Sequence, residues 1–154
     1  MSGNVQGTTR IGGIVGYGQQ NIQLDGCTMS GNIDGDDTFG GIIGTSLSGT
    51  VTIANTNVAQ STRVYTYGNN RRVGGFIGDC NAALSVHGST MAGVVHSGDY
   101  AGGFIGRVTN HEAVFHWSHF TGRLEFRMGT QLKGGFIGIP TTTRFHDCTS
   151  TGRI

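Results

Sequence analysis

Proline, lysine and glutamate are nearly missing from this chain of 154 residues. Pro140 is the single proline, Lys133 the single lysine, and Glu112 and Glu125 the only glutamates. One proline excludes a proline-rich spacer and a collagen-like chain. So few strong helix formers exclude a fold built on surface helices. Charged residues make up 12% of the chain and the formal net charge is +1. That leaves no electrostatic case for nucleic acid or an anionic membrane as partner. No apolar run approaches the ~18 residues that mark a membrane span. The opening residues, Met1-Ser2-Gly3-Asn4-Val5, do not read as a signal peptide, so any export route stays open. Three cysteines, Cys27, Cys80 and Cys148, do not make a disulfide framework.

Glycine is what the chain has in excess, with 29 of 154 residues, well over twice the usual share of about 7%. Fifteen of them fall in five copies of Gly-Gly-(Phe/Ile)-(Ile/Val)-Gly, which begin at Gly12-Gly13, Gly40-Gly41, Gly74-Gly75, Gly102-Gly103 and Gly134-Gly135. Successive copies start 28 to 34 residues apart. A period of that length marks a solenoid, in which each repeat buries its apolar face only against its neighbours. A second signature lies between the copies. Its first column is always large and apolar: Leu24, Ile53, Val86, Phe115 and Phe145. Its fourth column is always small: Cys27, Thr56, Ser89, Ser118 and Cys148. Short alternations of this kind, rich in β-branched and aromatic residues and punctuated by glycine, read as strands.

These motifs predict an all-β fold, a parallel β-solenoid (β-helix) of about five coils. One domain spans residues 1–154, with about 30 residues and two or three short strands per coil, coils ~4.8 Å apart. Ile14, Ile42, Phe76, Phe104 and Phe136 form one core ladder, and the column from Leu24 to Phe145 a second. The paired glycines serve tight corners and close backbone approaches. Both residues of each Phe-Ile pair are apolar, although a straight strand points neighbours to opposite sides. One of the two columns must therefore meet a corner, the opposite strand or another chain. Asp79 and Arg107 follow the last glycine of adjacent motifs and are expected to form an ion pair.

The glycine motif resembles the GLUG repeat, a glycine-hydrophobic-variable-glycine unit of bacterial surface proteins and of the stalks of some secreted peptidases. The resemblance covers almost the whole chain. It implies a surface-associated β-solenoid, extracellular or at the cell surface, and no chemistry. The His-Glu-x-x-His zinc signature of those peptidases is absent, since His111-Glu112 is followed by Ala113, Val114 and Phe115.

Few residues suggest a site. His87, His116 and His146 share a column in three successive coils, a row that could share a divalent metal or simply stack on the surface. His119 lies close by. Asp34, Asp36 and Asp37 surround Gly35 in one turn, which suits calcium or a solvated turn. Cys27 and Cys148 share a column but lie four coils apart, about 19 Å, so a disulfide within the chain is excluded. They could approach across a joint between copies. The third coil is longest. Its excess, residues 61–72, reads as a protruding hairpin or extended strand that carries Arg63, Tyr65, Tyr67, Arg71 and Arg72, residues suited to recognising sugar or protein. No catalytic constellation can be placed and no cofactor is implied, so an enzyme is not expected.

Residues 1–5 copy residues 29–33, and residues 150–154 fall in the same phase. The repeat thus starts and stops at equivalent points, with neither end capped. The expectation is a structural subunit that stacks head to tail with itself, through Met1, Gly3 and Val5 at one end and Ser150, Gly152 and Ile154 at the other. The alternative is an adhesin-like or tailspike-like binding module, or a fragment of a longer surface solenoid, that grips glycan or a host protein through the third coil. An ice-binding solenoid would need a regular threonine face, and Thr141-Thr142-Thr143 occurs once.

Overall fold

The strands repeat five at a time along the chain. The computed structural model describes residues 1–66, 72–97, 100–126 and 132–154. Its first coil consists of β1 (Val5–Gln6), β2 (Ile11–Gly12), β3 (Val15–Gly18), β4 (Ile22–Asp25) and β5 (Thr28–Met29). Each founds a five-stranded parallel sheet, sheets I to V in that order, and each later coil adds one strand to every sheet. The protein is an all-β parallel solenoid, with no helix among the described residues. Each coil has five strands rather than two or three. They are only two to five residues long, so the period-2 alternation is broken at a corner after one or two cycles and two strands merge into one in the sequence.

The glycine motif turns the corner between sheets II and III. Its first glycine ends a sheet II strand, the second glycine and the Phe or Ile after it form the bend, and the next residue starts a sheet III strand. Because a bend separates them, Phe76 and Ile77 are both fully buried, as are Phe104 and Ile105. Phe76 stacks on Phe104 at 4.6 Å and Phe104 on Phe136 at 5.0 Å between ring centroids. Ile42 and Ile14 continue the column through backbone hydrogen bonds of 3.0 Å (Ile42 N–H to Phe76 C=O) and 2.9 Å (Ile14 N–H to Ile42 C=O). The second ladder faces the first across the core, with Phe115 edge-on to Phe104 at 5.7 Å and to Phe136 at 5.4 Å. Such pairs contribute roughly 0.5–1.5 kcal/mol each beyond their burial.

The second glycine of the motif is dictated by what lies opposite. A Cβ on Gly75 would sit 2.5 Å from Met91 Sδ and closer still to the carbonyl of Gly103 in the next coil. The same relation joins Gly13 to Met29 and Gly103 to Phe120. The sheet V column of Met29, Met91 and Phe120 therefore fills the space that the glycines leave.

The corner between sheets IV and V has its own rule. Its residues are Gly26, Asn55, Gly88, Trp117 and Asp147, all left-handed, with φ of 62°, 48°, 55°, 45° and 52°. The next residue in each coil builds a polar spine inside the core. Thr56, Ser89 and Ser118 are fully buried. Their hydroxyls donate to the carbonyls of Ala54, His87 and His116 at 2.7, 2.9 and 3.0 Å. The same oxygens accept the amides of Cys27, Thr56 and Ser89 from the preceding coil at 3.4, 3.2 and 3.4 Å. Buried hydroxyls are thus satisfied, as burial requires. Cys27 and Cys148 terminate the spine, each thiol donating to the carbonyl two residues back.

Candidate functional site

Coil-to-coil packing leaves the two end coils, the outer face of sheet IV and the outer face of sheet I open to partners. At the ends, the two ladders lose one neighbour each. Ile14 and Phe145, expected in the core, are instead 38% and 49% exposed for that reason. Six of the large apolar side chains exposed among the described residues belong to end coils: Met1, Ile14 and Tyr17 in the first, Leu132, Phe145 and Ile154 in the last. Phe136, Ile137, Pro140 and Phe145 rim an open hollow of about 290 Å³ on the last coil.

The segments expected to meet across a joint occupy equivalent places. Ser30 donates its amide to Met1 C=O at 2.9 Å, Gly3 donates to Ser30 C=O at 3.2 Å, and Val5 pairs with Ile33. At the other end Thr151 donates to Phe120 C=O at 2.9 Å and Arg153 to Gly122 C=O at 3.1 Å. Segments in the same phase claim the same rung. Stacked one on the other, they would leave sheets II, III and IV with an empty rung between copies. Met1, Gly3 and Val5 therefore do not pair with Ser150, Gly152 and Ile154 in a continuous ladder.

The expected binding loop is not a loop where it is described. The strand Arg63–Thr66 is a regular rung of sheet I, paired with Asn32–Gly35 on one side and Val94–Ser97 on the other. Val64 and Thr66 point inward, while Arg63 and Tyr65 point out. Tyr65 stacks on His96 at 4.5 Å. Arg72 starts the next strand, in sheet II, and its Nη1 lies 3.4 Å from Asp79 Oδ2. Tyr67 and Arg71 lie outside the described residues. The column register that carries Val64 between Ile33 and Val95 was visible in the apolar alternation, but the length of the third coil masked it.

On sheet IV, His87, His116 and His146 do align. Their centroids are 6.5 and 4.6 Å apart, and the His116 and His146 planes are within 9° of parallel. Imidazole lone pairs lie in the ring plane, so stacked rings aim them side by side rather than at one ion. Among the described residues no group of three His, Cys, Asp or Glu side chains is placed to hold a metal ion. In the aspartate turn Asp34 accepts from Gln6 Nε2 at 3.4 Å and Asp37 from the Thr38 hydroxyl at 3.3 Å. His119 bonds Thr149 at 2.7 Å on sheet V.

Beside the imidazole row stands Trp117, which the sequence reading passed over. Its indole is 51% exposed. It meets His87 edge-on at 4.9 Å and lies 5.8 Å from His116. The available signal was its column: Gly26, Asn55, Gly88 and Asp147 all tolerate a left-handed backbone, and tryptophan does not.

Asp79 and Arg107 form the ion pair expected from their register, two hydrogen bonds of 2.9 and 2.6 Å on sheet III. The bond to Asp79 is also the main reason the Arg107 guanidinium is raised above its ordinary pKa. Cys80 next to it is fully buried. Burial pushes its thiol up to about 11, far from the reactive range.

No family model, no curated protein and no solved structure matches the chain.

Proposed function

We propose that the chain is a non-enzymatic structural subunit that extends end to end into a β-solenoid fibre, extracellular or on a cell surface. The observation that carries this reading is the segregation of exposed large apolar side chains to the first and last coils; among the described residues, Leu47 and Trp117 are the exceptions. The open edges match column for column. Ile14 of one copy would stack on Phe136 of another, Leu24 on Phe145 and Cys27 on Cys148, each one rung or ~4.8 Å away. Unpaired parallel edges are templates for a further chain. In such a joint β1 of the added copy follows the last sheet I strand, Arg123–Phe126, and residues 150–154, whose Arg153 bridges Arg123, yield their rung. The likeness to GLUG repeats supports the surface setting. The rival reading, a module that grips a target through the third coil, loses its protruding pair, because Arg63 and Tyr65 sit on a regular rung.

Gly135 provides the test. In the four earlier motifs a Cβ on the second glycine would strike the carbonyl of its counterpart one coil on: Gly13 against Gly41, Gly41 against Gly75, Gly75 against Gly103, Gly103 against Gly135. At Gly135 the nearest atom is instead the flexible hydroxyl of Ser150. Gly135→Ala should therefore spare the subunit and block the joint. Electron micrographs should show rods of uniform width for the native chain. For G135A they should show dispersed particles with unchanged β-rich circular dichroism. Native particles that never elongate, or rods of equal length in both proteins, would overturn the joint.

A further inference from the structure

We propose that Trp117 and the imidazole row beside it form a binding site for a neutral, linear sugar chain on the outer face of sheet IV. The first observation is a misfit. Trp117 holds φ at 45°, in the region where a bulky side chain is an outlier and where the strain costs on the order of 1–3 kcal/mol. Its four column mates are glycine, asparagine, glycine and aspartate, which hold the same corner without that cost. The indole contributes little to the core in return, being half exposed. Folding alone therefore gives no reason for tryptophan here. Strain that persists at an exposed aromatic residue in the middle of a stack points to function.

The second observation is how the indole is held. His87 meets it edge-on at 4.9 Å, and His116 flanks it at 5.8 Å. The Trp117 amide donates to His146 C=O at 2.9 Å. Base and ring are thus fixed before any ligand arrives, which lowers the entropic cost of binding. A rigid aromatic face next to a row of imidazole nitrogens offers an apolar platform and polar partners at rung spacing. A pyranose presents the complement, with C–H bonds on its faces and hydroxyls around its rim.

The third observation is what adjoins the row. Two residues back along the same strands the outward side chains are Ser85 and Val114. With Thr50, Thr52, Ala83 and Glu112 they form a shallow depression of about 290 Å³. It sits about 7 Å from the imidazoles, two residues at ~3.3 Å each. Its lining sets the hydroxyls of Thr50, Thr52 and Ser85 among the apolar side chains of Val51, Leu84 and Val114. Glu112 at its edge is paired with Arg144 at 2.7 Å, so the depression offers little unbalanced charge. A chain of neutral sugar units laid across the sheet would reach from this depression, over the imidazoles, to the indole.

The chain has a single tryptophan, so its fluorescence reports on this site alone. The probes are cellohexaose, chitohexaose, xylohexaose and mannohexaose, titrated into the full-length protein. At least one should give a saturable blue shift of the emission. Trp117→Asn, which suits a left-handed corner, should lose about tenfold or more in affinity for that sugar by calorimetry, a change of ~1.4 kcal/mol, while its melting temperature stays equal or rises. His116→Ala, which keeps the reporter, should weaken the fluorescence response as well. No shift with any of the four sugars overturns the proposal. So does a lower melting temperature in W117N, which would make the indole a structural residue. A blue shift that follows protein concentration and ignores sugar assigns the indole to contact between copies, and also overturns it.

Discussion

Arg107 grips Asp79 with both arms of its guanidinium, Nε to Oδ1 at 2.9 Å and Nη2 to Oδ2 at 2.6 Å. Arg72 adds a third contact at 3.4 Å. The Asp79 carboxylate is nearly buried, while Arg107 keeps about a quarter of its side chain in solvent. A planar, bidentate pair of this kind exceeds an ordinary surface ion pair. Asp79→Ala should destabilise by about 1.5–3 kcal/mol, the range for hydrogen bonds to charged groups, because two guanidiniums lose their acceptor. The check is a double-mutant cycle with Arg107→Ala in chemical denaturation. A coupling energy near zero would show that the pair is solvated like a surface contact.

The glycine motif makes a sharper demand. Gly75→Ala should be among the most damaging single substitutions, because the added Cβ meets both Met91 and the backbone carbonyl of Gly103. Side chains can move aside, but a carbonyl held in a ladder cannot without breaking it. The loss should reach about 2–4 kcal/mol or abolish folding, as overpacking against an immobile neighbour does. Trimming the flexible partner, in Gly75→Ala with Met91→Ala, should not restore the melting temperature. Full rescue by the second substitution would locate the conflict in the side chain and not in the coil spacing.

These two relationships differ in how much of them could be read from sequence. Asp79 and Arg107 follow the same motif one coil apart, so their register was visible at once, as was the stacking of Phe76, Phe104 and Phe136. The period alone carries that information. The number of strands per coil was not legible, because two-residue strands such as Thr28–Met29 complete no alternation before the chain turns. The role of Ser89 and Ser118 was legible only as smallness, since a column of small residues does not reveal that its hydroxyls point inward. The third coil misled because its extra residues drew Arg63–Thr66 into an apparent excursion, although Val64 continues the column of Ile33 and Val95. The conflict between the two end segments needed rung positions, which phase in the sequence does not supply.

The hydroxyl spine yields a third prediction. Ser89 Oγ donates to its own coil at 2.9 Å and accepts the Thr56 amide at 3.2 Å. Ser89→Ala removes one oxygen and strands the Thr56 amide in a fully buried place, while the His87 carbonyl keeps its bond from the Asn55 amide at 3.0 Å. Leaving buried groups unpaired costs roughly 1–3 kcal/mol, more than the loss of one oxygen suggests. Ser89→Thr, which restores the hydroxyl and copies Thr56, should recover most of it. Thermal unfolding of the two variants is the measurement. An S89A melting temperature equal to that of the native chain would mean that the spine contributes nothing net.

Cys80 allows a test of burial by titration. Desolvation pushes its thiol up from 9.0 to about 11, a contact with the Ala82 carbonyl opposes the shift, and the Asp79 charge adds to it. In the unfolded chain the thiol ionises near its ordinary value of 9.0. Below that value both states hold the proton, and the contribution of the group is fully present. As pH rises the unfolded state loses its proton first, so stability falls between the unfolded value and about 11. The slope from this group is at most ~1.4 kcal/mol per pH unit. Comparing the native chain with Cys80→Ala isolates it: the native chain should lose stability faster above pH ~9, and the variant should lack that extra slope. Thiol labelling near pH 8 should agree. Cys27 and Cys148, which are part-exposed, should react in the folded protein, and Cys80 only after unfolding. Equal labelling rates for all three cysteines, or equal pH slopes with and without Cys80, would mean that water reaches the interior of sheet III.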